Sequence, residues 1–258
     1  MLKACVNGAR GPQEHPALPM TAAELAHDVA AVAAVGVDAV HLHVKDNHGA
    51  DTLDGTALAA VLTSVRAAAP GVPVGVTTGA WALPDADARV AAIRSWRQVA
   101  VLPDFASVNW HEDGADEVAA ALLAIGVGVE AGLWHAEAAE AWRSSPHRDR
   151  CLRVLLELPD GLDAPAVDTE AGRLLDLVRG AGSTVVHLPV LLHGEGSSTW
   201  PALRLAGRLG LWTRIGLEDV LELPDGSTAP DNAALVRAAR DLLADTNRSV
   251  HTGETSTA

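Results

Sequence analysis

The run His41-Leu42-His43-Val44-Lys45-Asp46 places two imidazoles two residues apart. In an extended strand that spacing sends both rings out of one face, while Leu42 and Val44 leave the other. Converging neutral imidazoles are the commonest protein ligands for a divalent metal, with zinc the first expectation. On its own the pair equally fits one hydrogen-bonded core histidine beside an incidental second. Lys45 and Asp46 favour a site, because polar residues crowd the end of an otherwise apolar strand.

A second cluster, Arg214-Ile215-Gly216-Leu217-Glu218-Asp219, offers a carboxylate. If the whole run is a strand, Arg214, Gly216 and Glu218 share a face. Glu218 is then a third ligand beside His41 and His43, leaving one coordination position open, and Asp219 a candidate base. The same residues also fit an Arg–Glu pair closing the sheet and an Asp capping the next turn. Thr77-Thr78-Gly79, Asn109-Trp110-His111-Glu112 and Glu130, shortly before Trp134-His135, bring further polar groups to strand ends, which together predict a polar pocket. The run from His193 to Thr199 carries Gly194, Gly196 and Ser197. Glycine-exposed amides before a helix predict a phosphate-binding turn for a cofactor, with a flexible connector as the other reading. Glu195 fits an anion site poorly. Cys5 and Cys151 have no histidine at motif spacing and read as small buried apolar residues.

The elements that must position these residues alternate from end to end. Strands are expected at Lys3–Ala9, Ala39–Val44, Val72–Gly79, Phe105–Trp110, Val127–Trp134, Arg153–Leu158, Thr184–Val190 and Thr213–Asp219. Between them, apolar residues at i, i+3 and i+4 predict helices at Ala22–Val35, Gly55–Ala69, Asp85–Trp96, Ala115–Ile125, Ala136–Trp142, Thr169–Arg179, Trp200–Leu209 and Asn232–Ala244. Eight strand–helix units predict a single-domain (β/α)8 TIM barrel over residues 1–245, with an open doubly wound sheet as the alternative. Residues 246–258, rich in Thr and Ser, read as a polar tail.

Composition agrees. The chain has 258 residues, 48% of them hydrophobic, with one Phe and no Tyr, so the core must be packed from small and branched aliphatics. A net charge of −14 leaves no basic stripe for nucleic acid, and any anionic ligand needs a local cluster of cations or helix N-termini. Two cysteines and no apolar leader predict a cytoplasmic protein, and no run is long enough to span a membrane.

Taken together, Asn7-Gly8-Ala9, His15-Pro16-Ala17-Leu18-Pro19-Met20-Thr21, the His41–Asp46 run, Thr77-Thr78-Gly79, the Arg214–Asp219 run and Asn232-Ala233-Ala234-Leu235-Val236 resemble the β-keto acid cleavage enzymes. The resemblance covers nearly the whole chain in the same order. It implies a zinc-dependent barrel, a homo-oligomer, in which His41, His43 and Glu218 hold the metal. It implies that Asp219, beside Arg214, abstracts the α-proton of a β-keto acid. The acid then exchanges parts with acetyl-CoA or another acyl-CoA, giving acetoacetate and a new acyl-CoA.

Thr77 stands where the family usually has serine and keeps a hydroxyl for a developing oxyanion. Arg10, Lys45, Thr78, Gly79, Asn109 and Glu130 are the expected substrate contacts. Arg10 replaces an acidic residue of many members, Lys45 an arginine, and Gly132 the second of two glutamates. Leu158-Pro159-Asp160-Gly161 replaces a glycine-rich stretch. These departures imply a divergent subfamily with its own keto acid. Two other readings of the same residues are a metal-dependent aldolase or hydrolase working without CoA, and a metal- and acid-binding protein without turnover. Two nitrogens and one oxygen also admit manganese, iron, cobalt or nickel.

Overall fold

The computed structural model describes residues 1–180 and 188–253. Eight strands alternate with eight helices: β1 Leu2–Cys5, α1 Ala22–Val35, β2 Ala39–Leu42, α2 Gly55–Ala68, β3 Val74–Thr77, α3 Ala86–Ser95, β4 Phe105–Asn109, α4 Ala115–Ala124, β5 Gly128–Leu133, α5 Ala136–Ser144, β6 Arg153–Leu158, α6 Ala164–Arg179, β7 Val190–Gly194, α7 Thr199–Leu209, β8 Thr213–Ile215 and α8 Asn232–Gly253. All strand pairings are parallel, in the order β7-β6-β5-β4-β3-β2-β1-β8. A parallel bridge between Leu191 and Trp212 joins β7 to the start of β8 and closes the ring. The architecture is the expected single-domain (β/α)8 barrel. No helix among the described residues is long and apolar enough to cross a membrane.

Local chemistry sets the helix starts. Thr21 and Glu24 form a reciprocal capping box at α1, and the carboxylates of Asp54, Asp85 and Asp163 accept amide hydrogens at the starts of α2, α3 and α6. Asp163, followed by Pro165 in the first turn, starts α6 five residues before the expected Thr169. α8 runs to Gly253, past the position where a polar tail was expected to begin.

Two strand boundaries matter more. The seventh strand was placed at Thr184–Val190, of which residues 184–187 lie outside the described residues; β7 is Val190–Gly194, so His193 belongs to a strand and not to a loop. The eighth was expected to reach Asp219, yet β8 ends at Ile215 and the next residues form a turn closed by Asp219 N and Val220 N on Gly216 O, at 2.9 and 3.0 Å.

The outward strand faces bury aliphatics such as Val40, Val76, Val108, Val129 and Leu156 against the helices. The lumen is different. At its N-terminal end Glu130 accepts from Lys3 Nζ at 2.6 Å and faces Arg153 Nε at 2.7 Å, all three buried. The single phenylalanine, Phe105, lies under both cations, with its ring centre 5.6 Å from Lys3 Nζ and 5.0 Å from the Arg153 guanidinium. Glu130 therefore belongs to the floor of the barrel and does not line the cavity at its mouth, where a substrate contact was expected. Two cations cannot lie there without it.

Candidate metal centre and active site

His41, the third residue of β2, and His43, just beyond its end, enter the mouth of the barrel from one side. Asn7 fixes the second of them. Its Oδ1 accepts from His43 N at 2.8 Å and its Nδ2 donates to His43 O at 2.9 Å. From the turn after β8, Glu218 Oε2 stands 4.0 Å from His41 Nε2 and 3.8 Å from His43 Nε2. One ligand atom from each of the three residues lies within 4.8 Å of the others. Glu218 Oε2 and His41 Nδ1 are buried and without a hydrogen-bond partner among the described residues. A buried carboxylate oxygen left without a donor between two imidazoles fits a cation, and the three donors are a nitrogen–nitrogen–oxygen set suited to zinc. Burial, reinforced by neighbouring His43, holds His41 well below the usual histidine range, in the neutral form that ligates.

The turn that carries Glu218 is itself anchored. Asn232 Oδ1 accepts from Leu217 N at 2.7 Å, and its Nδ2 donates to Val6 O and Asp28 Oδ2, both at 2.8 Å. Gly8 makes room for it: at φ +56° the backbone is left-handed, and a Cβ there would stand 2.6 Å from Glu218 Cγ.

Behind His43, Asp51 Oδ2 is 2.7 Å from Nδ1, which turns Nε2 toward Glu218. Burial works to raise the Asp51 pKa, but His43 and Lys45 together hold the carboxyl below its ordinary value. Asp51 also accepts from Trp81 Nε1 at 2.8 Å, and the Trp81 ring lies nearly parallel to His43, 11° between planes and 6.0 Å between centres. Asp51 and Trp81 were not anticipated. Asp51 sits in a loop, where no strand period marks an inward side chain.

Arg214, on β8, gathers the acids. Its Nη2 is 2.8 Å from Asp219 Oδ1, 3.1 Å from Glu218 Oε1 and 3.7 Å from Glu157 Oε2. Strand alternation had placed Glu218 and Asp219 on opposite faces. The turn after Ile215 instead brings both to the same guanidinium. Asp219 is fully buried, and its Oδ2 has no partner among the described residues. Burial raises its pKa against the opposing pull of Arg214.

A cavity of about 400 Å³ opens above these groups, lined among others by His41, His43, Thr77, Asn109, Arg214 and Glu218 from the expected set, and by Trp81, Trp134, Glu157 and Glu195, which were not foreseen as contacts. Thr77 Oγ1 accepts from Gly79 N at 3.1 Å, so its own hydrogen is left to donate. Arg10 reaches the rim, held by Glu14 at 2.8 Å and by the Glu218 carbonyl at 3.3 Å. The other expected contacts are engaged elsewhere. Lys45 Nζ is spent on Asp51 Oδ1 at 2.6 Å and on the carbonyls of Gly8 and Arg10 at 2.7 and 3.3 Å. Thr78 Oγ1 donates to Ser107 O at 2.7 Å. Neither lines the cavity, and nor does Gly79.

The expected phosphate turn is likewise filled from within. Gly196 N donates to Asp219 O at 2.8 Å, and Ser197 N and Oγ both donate to Asp160 Oδ1, at 2.7 and 2.9 Å. Gly194 is buried, its carbonyl taking the Thr199 hydroxyl at 2.8 Å. An internal carboxylate occupies the place foreseen for an anion. Glu195 projects to the cavity instead, its pKa pushed up to about 7 by burial and then by Asp219.

The fold brings together, at the mouth of one barrel, three residues that could hold a metal ion and an arginine-paired acid. The profile of the beta-keto acid cleavage enzymes matches residues 1–145 and 168–257, and the chain belongs to that family. Among curated proteins none matches it in sequence. Among solved structures it is similar to ObcA, both in an apo form (TM-score 0.70, 18% identity, 90% of this chain and 63% of that one) and in a binary complex with oxaloacetate (TM-score 0.71, 18% identity, 90% and 64%). It is also similar to a rubisco-like protein from Burkholderia fungorum (TM-score 0.59, 17% identity, 99% and 63%). At such identities the likeness is one of fold, and the chain spans less than two thirds of the length of these proteins.

Proposed function

We propose that the chain is a zinc-dependent enzyme that exchanges acyl groups between a β-keto acid and acetyl-CoA. The observation that carries this reading is the cavity shared by His41, His43, Glu218 and Arg214, with the Asp219 carboxylate buried 2.8 Å behind that guanidinium. His41, His43 and Glu218 would hold the zinc, which would supply a Lewis acid when bound.

Asp219 takes the proton from the carbon between the two carbonyls, and Arg214 holds its carboxylate in place for that transfer. Thr77 donates to the oxyanion that develops when this carbon attacks the acetyl thioester, expelling CoA thiolate. The thiolate adds to the former keto carbon, the original carbon–carbon bond breaks, and Asp219 returns its proton to the departing carbon. Keto acid and acetyl-CoA thus become acetoacetate and a new acyl-CoA, with atoms and charge conserved. Trp81 and Trp134, whose indoles line the cavity, keep water from the acyl group.

The test is to load purified protein with zinc, confirm stoichiometry by elemental analysis, and follow acetoacetate from a panel of β-keto acids that includes oxaloacetate. Acetoacetate formed only with acetyl-CoA supports acyl exchange. Equal cleavage without any thioester identifies an aldolase or hydrolase and overturns it.

A further inference from the structure

The family profile leaves residues 146–167 unmatched, and this segment contains β6. β6 delivers one acid, Glu157, to the cavity wall. Its Oε2 faces inward, 3.1 Å from Nε2 of the fully buried His193 and 3.7 Å from Arg214. Its Oε1 points toward β5, into the space left by Gly132. A Cβ on that glycine would stand 2.6 Å from Glu157 Oε1 and 2.5 Å from Asn109 Oδ1. No described residue donates a hydrogen bond to Oε1. The neighbouring Asn109 Oδ1 is also an acceptor, taking Trp134 Nε1 at 3.3 Å, and Glu195 adds a further carboxyl to the cavity lining. Of the cations lining the cavity, Arg214 is shared among three acids and Arg10 is tied to Glu14 at the rim.

We infer that Glu157, set beside His193 and given room by Gly132, is the specificity-determining residue of this enzyme. It selects β-keto acids whose substituent beyond the keto carbon carries a hydrogen-bond donor, an ammonium or a hydroxyl. This inference rests on the function proposed above. A wall of acceptors satisfies a donor and leaves a second carboxylate facing like charge, so a dicarboxylic keto acid such as oxaloacetate is disfavoured.

The experiment compares 3-oxopentanoate, its 5-hydroxy and 5-amino derivatives and oxaloacetate in wild type, Glu157→Gln and Gly132→Ala. The last variant displaces Oε1 without removing the acid. Wild type is expected to favour the two donor-bearing acids by about 10- to 100-fold in kcat/KM, mostly through KM. Both variants are expected to bring them within about threefold of 3-oxopentanoate. A wild-type preference for oxaloacetate or for the plain acid overturns the inference. So does a preference that survives in both variants, or an equal loss on every acid. Thermal shifts of zinc-loaded protein with each acid report the same selection without turnover. If no acid is cleaved but the donor-bearing ones still raise the melting temperature only while Glu157 is free to act, acyl exchange fails and the specificity stands.

Discussion

Arg214 Nη2 and Asp219 Oδ1 lie 2.8 Å apart, five residues from each other along a chain that turns back immediately after β8. The turn converts a short sequence separation into a buried ion pair whose second carboxylate oxygen has no partner among the described residues. Charge pairing holds the acid in one orientation without occupying both of its oxygens. Asp219→Asn keeps the shape and loses the base, so kcat is expected to fall about 10²- to 10⁴-fold while bound zinc, measured by elemental analysis, stays at wild-type stoichiometry. Undiminished turnover in this variant would take Asp219 out of the mechanism.

Asp51 never reaches the metal position, yet it fixes the ring of His43. Asp51→Asn is expected to weaken zinc about 10- to 100-fold in competition with a chromophoric chelator, and to leave the fold intact by circular dichroism. His41→Ala removes a ligand outright and is expected to abolish stoichiometric loading.

The floor of the barrel gives a contrasting case. Glu130 neutralises two buried cations, Lys3 and Arg153. Glu130→Gln leaves them uncompensated and is expected to cost about 3–5 kcal/mol in denaturant unfolding. A change in KM with unaltered stability would restore Glu130 to the substrate.

Asp28 links acidity to stability. Burial, opposed by its hydrogen bond from Asn232 and assisted by nearby Asp231, pushes its pKa from 3.8 up to about 7. The folded chain thus binds the proton more tightly than the unfolded chain. The associated stability is full below about pH 4 and disappears as pH rises through 7. Asp28→Asn is expected to match wild type near pH 4 and to exceed it above pH 8 by about 2–4 kcal/mol. A wild-type excess at pH 8 would reverse the sign and exclude this origin.

The barrel and the histidine pair of the candidate metal centre were legible in the sequence because both rest on local periodicity. His41 and His43 share a face by strand alternation, and eight apolar runs alternate with eight amphipathic ones. Glu218 was identified by a face argument that fails beyond Ile215, where the strand gives way to a turn, although the residue does arrive at the ligands. Period alone cannot reveal where a strand stops. Asp51, Trp81 and Glu195 sit in connections with no period at all, and their roles follow from contacts across the mouth of the barrel. Glu157 did leave a signal: in Arg153-Val154-Leu155-Leu156-Glu157-Leu158 the two charged residues fall on alternate positions of the same inward row as Leu155. His193 left none, because β7 begins at Val190, where the apolar run predicts a strand to end.

The indole of Trp81, lying parallel to the imidazole of His43 and hydrogen-bonded to the acid behind it, gives the protein an optical reporter of its own state. Occupancy of the centre changes the electronic surroundings of that ring. Cobalt or nickel, with partly filled d shells, is expected to quench its emission, whereas zinc, with a full shell, is expected to shift it without extinguishing it. Titration of the native chain therefore yields affinities directly from fluorescence, and Trp81→Phe separates this signal from that of the other tryptophans.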